Sequence, residues 1–185
     1  MLIWIVLAVV VVLLAIYLIA TYNRLVKANV AVDEAFAQIE VQLKRRSDLI
    51  PNLVSTVKGY AAHESGTFEK VTAARAVAEH ANGVAEVAAA DGQLTQALRG
   101  LLAVAEAYPD LKASANFLSL QEELSSTENK VAFSRQFYND SVRSLNTAIV
   151  TIPTKFFVGM TGVHARDFYE VPNEADRNAP TVSFE

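Results

Sequence analysis

LIWIVLAVVVVLLAIYLIA, residues 2–20, is an unbroken run of 19 uncharged and almost wholly apolar side chains, and it decides the fold. As a helix rising about 1.5 Å per residue it extends roughly 28 Å, close to the ~30 Å hydrocarbon thickness of a bilayer. A cleaved signal peptide carries a basic region, a shorter apolar core and a small-residue cleavage site. Nothing basic precedes this run, and no A-x-A pattern follows Ala20. A buried core helix rarely stays free of charge for so long. Trp4 and Tyr17 stand near the two ends, where aromatic rings anchor a helix at the membrane interface. The run reads as a transmembrane helix, with Leu2, Trp4, Leu7, Leu13, Tyr17 and Ala20 as membrane-embedded residues.

Every charged side chain lies beyond the run, beginning at Arg24. Arg24 and Lys27 follow it closely, and Lys44, Arg45 and Arg46 come later. The positive-inside rule then predicts an N-terminus outside and a C-terminal domain in the cytoplasm, as for a single-pass protein of the cell inner membrane. The absence of cysteine fits a reducing compartment. A net charge of −4 offers no basic footprint for nucleic acid. The ~160 residues after the run suffice for one domain with a core of its own. With abundant alanine and only seven glycines and five prolines, that domain is built mainly of helix.

Apolar residues recur at three- and four-residue spacing along most of it. Leu25, Val32, Phe36, Ile39 and Leu43 form one stripe, and nothing between Ala20 and Leu25 breaks a helix. The span is therefore expected to continue as one rod to about Arg46. Ser47 and Asp48 before Pro51 resemble a helix start, which places a turn near Arg46 to Leu49. A second stripe reads Ile50, Leu53, Val57, Tyr60, Phe68, Val71 and Ala78. Gly59 and Gly66 mark a kink or local fraying within it, and Asn82-Gly83 a stop. A third runs from Leu94 to Tyr108, ended by Pro109. Asp110 is expected to cap the last helix, whose stripe is Phe117, Leu120, Leu124, Val131, Tyr138, Val142, Leu145 and Ile149, closed by Pro153.

The fold class is all-α: an N-terminal transmembrane helix continuing into an antiparallel bundle of four long helices with coiled-coil-like packing. The expected organisation is an anchor over 1–22, the bundle over 23–153 and an irregular tail over 154–185. Phe156, Phe157, Phe168, Tyr169 and Phe184 suggest that the tail packs on the bundle, a neighbour or the membrane.

Chemistry is sparse. His63, His80 and His164 are scattered, and His63-Glu64 lacks the second histidine of a zinc-protease helix. No glycine-rich phosphate loop or G-x-S-x-G turn is present. The reading is of a protein without catalytic, cofactor-binding or metal site, and so not an enzyme. Polar residues near the stripes form one candidate structural network: Gln42, Arg45 and Asn52 near the first turn, Glu106 before the Tyr-Pro stop, and Glu128, Asn129 and Arg135 on the last helix. Such a network would specify register more than add stability, although long side chains on helix faces mostly reach for water.

These blocks also carry a resemblance. Tyr22-Asn23-Arg24-Leu25-Val26 directly after the span, VQLKRRSDLIPNLVSTVKGYAAHE (41–64), AEAYPDLKA (105–113), FLSLQEELSSTENKVAFSRQFYND (117–140) and FYEVP near the end are similar to the LemA family. The order of the blocks is right and they cover nearly the whole chain. At Leu145-Asn146 the family more often has an aromatic before the asparagine, and residues 81–91 match no motif. The resemblance implies an N-terminal anchor, an antiparallel helical bundle, no established enzymatic activity and a link to envelope biology. A relative acts in building intracellular membrane compartments, which implies a membrane-organising role.

Two functions of different class follow as expectations. One is a self-associating scaffold, a homo-oligomer in the lipid bilayer. The anchor has no G-x-x-x-G, so the bundle faces would lead its assembly. The alternative is a membrane-tethered adaptor that presents a bundle face to a membrane-protein partner such as an envelope protease or sensor.

Overall fold

The stripes fold as helices in the computed structural model, which describes residues 1–170. They are α1 (Leu2–Lys58), α2 (Ser65–His80), α3 (Gly83–Glu106), the single turn α4 (Pro109–Lys112), α5 (Ala115–Val150) and the short α6 (Val158–Thr161), with a 3-10 turn at Thr154–Phe156 before α6. No strand occurs among the described residues, and the fold is all-α. Phe184 lies outside the described residues. The chain divides into two compact units, one of residues 1–38 and 134–168, the other of residues 39–133 with the stretch from Tyr169.

In the first unit, α1 begins with the apolar run. It is long and apolar enough to cross a membrane, and none of its most apolar 18-residue window is buried in protein. The run fits a single membrane crossing and is not a core helix. Leu25 is the first buried residue. From there Leu25, Val32 and Ala35 of α1, together with Tyr138, Val142 and Leu145 of α5 and Val163, form the buried interior. Phe36 meets Tyr138 with ring centroids 5.7 Å apart and a tilt of 56°. Leu18 to Leu25 instead share a cleft with Thr154 to Thr161, so α1 and α5 run antiparallel within this unit.

The segment after α6 is held to the helices by backbone-directed bonds. The Asn146 amide donates from Nδ2 to the Arg166 carbonyl and accepts the Arg166 N–H at Oδ1, both at 2.9 Å. The Tyr138 hydroxyl donates to the Asp167 carbonyl at 2.9 Å. The Arg166 guanidinium pairs with Asp33 of α1.

In the second unit the core joins Ile50, Leu53 and Val57 of α1 to Phe68 and Val71 of α2, Leu94, Leu98 and Leu101 of α3, Leu111 of α4, and Phe117 and Leu124 of α5. All of these but Leu111 lie on the stripes read from the sequence.

Three local expectations are corrected. The turn near Arg46 to Leu49 is absent, and α1 runs on to Lys58 with Pro51 inside it. A proline there removes the N–H that would bond the Ser47 carbonyl, at a cost of about 3 kcal/mol. Burial of Ile50, Leu53 and Val57 in the next turns outweighs it. Nor does Ser47 act as a cap: its hydroxyl donates to Glu79 and accepts from the Arg75 Nε, each at 3.2 Å. Asp48 pairs with Lys44 one turn back. Secondly, the second stripe is not one helix, because the chain breaks between Lys58 and Ser65, a stretch that includes Gly59. Thirdly, Asp110 does not cap the last long helix. It lies within α4, which has Pro109 in its first turn, and α5 begins at Ala115. The junction at Asn82-Gly83 is where α2 gives way to α3, with Gly83 at φ 74°, a left-handed conformation that favours glycine.

Two outcomes are expected. Pro51 is exposed within α1, so Pro51→Ala should restore a helical hydrogen bond and raise stability by about 1–3 kcal/mol, read from the urea midpoint. A proline in a first helical turn would gain nothing from the same change. The second concerns Tyr138, whose phenol is pushed above the ordinary tyrosine range by burial and secondarily by Asp167. The folded state therefore holds this proton more tightly than the unfolded chain. The stabilisation is complete below about pH 10 and is lost as pH rises through the folded value. Tyr138→Phe should cost about 1 kcal/mol at neutral pH, through loss of the bond to Asp167, and should flatten the decline above pH 10.

Candidate functional site

The spacing that builds the second unit's core also brings a charge into it. On α1, Arg46 stands seven residues after Ile39 and four before Ile50, both buried, and its side chain is only 2% exposed. A guanidinium taken out of water must be paired and hydrogen-bonded to be tolerated.

The partners come from α3 and from the stretch that follows α6. Arg46 Nη1 donates to Asp91 Oδ1 and to Thr95 Oγ1, both at 2.9 Å. Asp91 is 1% exposed, and its other carboxylate oxygen accepts the Tyr169 hydroxyl at 2.8 Å. Thr95 in turn donates to the Asp91 carbonyl at 2.8 Å, the back-bond of a helical threonine. Glu128 of α5 places Oε1 3.9 Å from Arg46 Nη2. Burial lowers the Arg46 pKa from the usual arginine value, while Glu128 and Tyr169 act to raise it. Gln42 Oε1 and Arg46 Nε, one turn apart on α1, are buried without hydrogen-bond partners among the described residues.

Beside this node lies a second, more exposed triad. Arg75 and Glu79 of α2 pair at 2.8 Å and both bond the buried Ser47 hydroxyl. Glu40, Lys44, Ser47, Glu79, Asp91 and Leu94 are among the residues lining a cleft of about 420 Å³ between α1, α2 and α3.

The arrangement is a buried ion pair closed by two hydroxyl groups. Arg46 and Tyr169 each engage one of the two Asp91 carboxylate oxygens. His63, His80 and His164 are exposed. No group of three His, Cys, Asp or Glu side chains among the described residues could hold a metal ion. The node fixes α1 against α3 and ties the chain at Tyr169 to both.

Of the polar residues singled out from sequence, Glu128 stands at the node and Gln42 one turn from it. Arg45, Asn52, Glu106 and Asn129 are exposed, and Arg135 is half-buried on the part of α5 that belongs to the first unit. Arg46, Asp91 and Thr95 were missed, and Tyr169 was expected only as a tail aromatic packing on the bundle, a neighbour or the membrane. Arg46 and Asp91 left a signal, since each occupies an apolar register. Asp91 follows Val87 by four residues and precedes Leu94 by three, all buried on α3.

These features define an all-helical bundle protein whose N-terminal helix fits one membrane crossing. The chain belongs to the LemA family, which it matches over residues 35–184. It is similar to magnetosome protein MamQ 2 of Paramagnetospirillum magneticum, with 24% identity over 179 residues, 83% of this chain and 66% of that protein. Magnetosome protein MamQ of Magnetospirillum gryphiswaldense is 23% identical over 82% of this chain and 65% of its own length. Protein LemA of Metamycoplasma hominis is 27% identical over 71% of this chain and 61% of its own length. The chain thus spans slightly less than two thirds of the curated relatives it matches.

Breaking the node from one side strands a buried charge. Asp91→Ala is expected to destabilise the protein by about 3–5 kcal/mol. Arg46→Leu in the same background should recover most of that loss, giving a large coupling in a double-mutant cycle read by chemical denaturation.

Proposed function

We propose that this protein is a non-enzymatic, self-associating scaffold that organises the membrane in which residues 2–20 anchor it. Arg24 and Lys27 support an orientation with the N-terminus outside and the bundle in the cytoplasm, hence the inner membrane of a bacterial cell. The observation that carries the scaffold reading is on α5. There Phe133 and Phe137 stand one helical turn apart and are 73% and 51% exposed. Large aromatics left in water at helical spacing form an apolar face suited to a second copy of the same helix. The occupied buried node supports a structural role over a catalytic one. Relatives named for the magnetosome are in keeping with a part played in an assembly.

One observation favours the alternative, a tethered adaptor. The cleft between α1, α2 and α3 carries both signs of charge, from Glu40, Lys44 and Glu79, as a surface that docks a charged partner segment would.

Mass photometry of the protein in detergent and in nanodiscs, across a concentration series, separates these readings. The scaffold reading expects oligomers that Phe133→Ser with Phe137→Ser reduces to monomers. A monodisperse monomer at every concentration overturns it. Crosslinking in cells that recovers a second membrane protein in stoichiometric amount favours the adaptor.

A further inference from the structure

The first unit holds a cleft at the depth where the apolar run meets water. Its α1 wall is formed by Leu18, Tyr22 and Leu25, at the end of the run and just beyond. Its other wall is formed by Phe157, Val158 and Thr161, from the turn that follows α5. The cleft holds about 350 Å³, and nearly all its lining is apolar.

The same turn also exposes large apolar side chains, including Met160, which lines the cleft too. Val150, Ile152, Phe156 and Met160 are 66, 70, 73 and 87% exposed within a stretch of 11 residues. A turn in water has no reason to expose four such side chains, whereas a turn at a bilayer surface buries them in lipid. The charges nearby have one sign. No Asp or Glu occurs in residues 1–32 or 141–166, while Arg24, Lys27, Arg143, Lys155 and Arg166 do, the last paired with Asp33. Arg143 pairs with Asp140, and Arg24, Lys27 and Lys155 are exposed without an ion pair among the described residues.

The geometry points to a phospholipid site at the membrane surface. An acyl chain of an anionic lipid fills the cleft between Leu18–Leu25 and Phe157–Thr161, the turn at 150–160 dips into the interface, and Lys155 meets the phosphate. The occupant is a lipid because the cleft opens along α1 from Leu18 and Ile19, the last turn of the apolar run that spans the bilayer. The 150–160 turn is then a second membrane attachment, distinct from the anchor. This inference rests on residues 2–20 crossing the membrane, and the test reports on that separately.

The full chain is reconstituted in nanodiscs of phosphatidylcholine and phosphatidylglycerol with brominated acyl chains. In the unmodified protein, Trp4, the single tryptophan, reports the span. In Trp4→Phe with Phe156→Trp, the new indole reports the turn, and circular dichroism confirms that the variant is folded. Quenching at position 156 at least about half as strong as that of Trp4 is expected. Weaker quenching at 156 with Trp4 fully quenched overturns the lipid site and leaves the anchor standing. Failure to quench Trp4 overturns both. In parallel, phosphatidylglycerol carrying a photoreactive group at mid-chain should label the peptide containing residues 156–166. Lys155→Glu should lower that yield by about five-fold relative to a phosphatidylcholine probe, the effect of one basic side chain at an anionic surface. Labelling confined to residues 2–17, or equal yields from the two lipids, overturns the assignment.

Discussion

A guanidinium that must be satisfied in the interior sets the terms for residues 39–133. Helical spacing turns Arg46 inward with Ile39 and Ile50, and once there it needs a carboxylate. Asp91 meets it only when α1 and α3 hold one axial register, because a shift of one residue turns a helix by about 100°. Packing of leucine, valine and isoleucine is less particular, since cores accept many apolar combinations of similar volume. The ion pair tolerates one register. Thr95 and Tyr169 then add a hydrogen bond to each member of the pair, and Tyr169 brings in the stretch that follows the bundle. The node adds less to net stability than to uniqueness, since an apolar pair of similar volume would serve as well energetically.

The helices were legible because their cause is periodic. Leu25, Val32, Ile50, Leu53, Val57, Leu98, Leu124 and Val142 all lie on stripes visible in the sequence and all are buried. The run at 2–20 was legible for the opposite reason, having no period and no charge. What misled was local. Ser47, Asp48 and Pro51 look like a helix start, and by their intrinsic preferences they are one. Tertiary burial on both sides of the proline overrode those preferences, so α1 is longer than its local chemistry suggests. Residues 81–91 showed no stripe because alanine carries little hydrophobic signal, yet Ala88 and Ala90 are buried on α3.

The node was half legible. A network involving the first and last helices was expected, and Glu128 does reach Arg46. The choice of Arg45 over Arg46 reversed the two faces of α1 at that turn. Counting from Ile39 or Ile50 would have resolved it, for position 46 keeps the apolar register and position 45 leaves it. Tyr169 gave no such clue. It lies outside any helix, and only the path of the chain after α6 brings it to Asp91. The Asn146 clamp on the backbone of Arg166 was equally invisible, because an asparagine that bonds peptide groups needs no particular residue opposite it.

The share of both units carried by α1 bears on how the protein is made. Within this sequence α1 is made before every described group of the later helices that it packs against. Asp33 waits for Arg166, and Arg46 waits for Asp91, Glu128 and the hydroxyl that completes the node. Until those later segments are made, the turns of α1 beyond Leu25 carry a buried-type arginine and an apolar stripe with nothing to cover them. The last helices thus close over the first, on the face of α1 that the folded protein hides most completely.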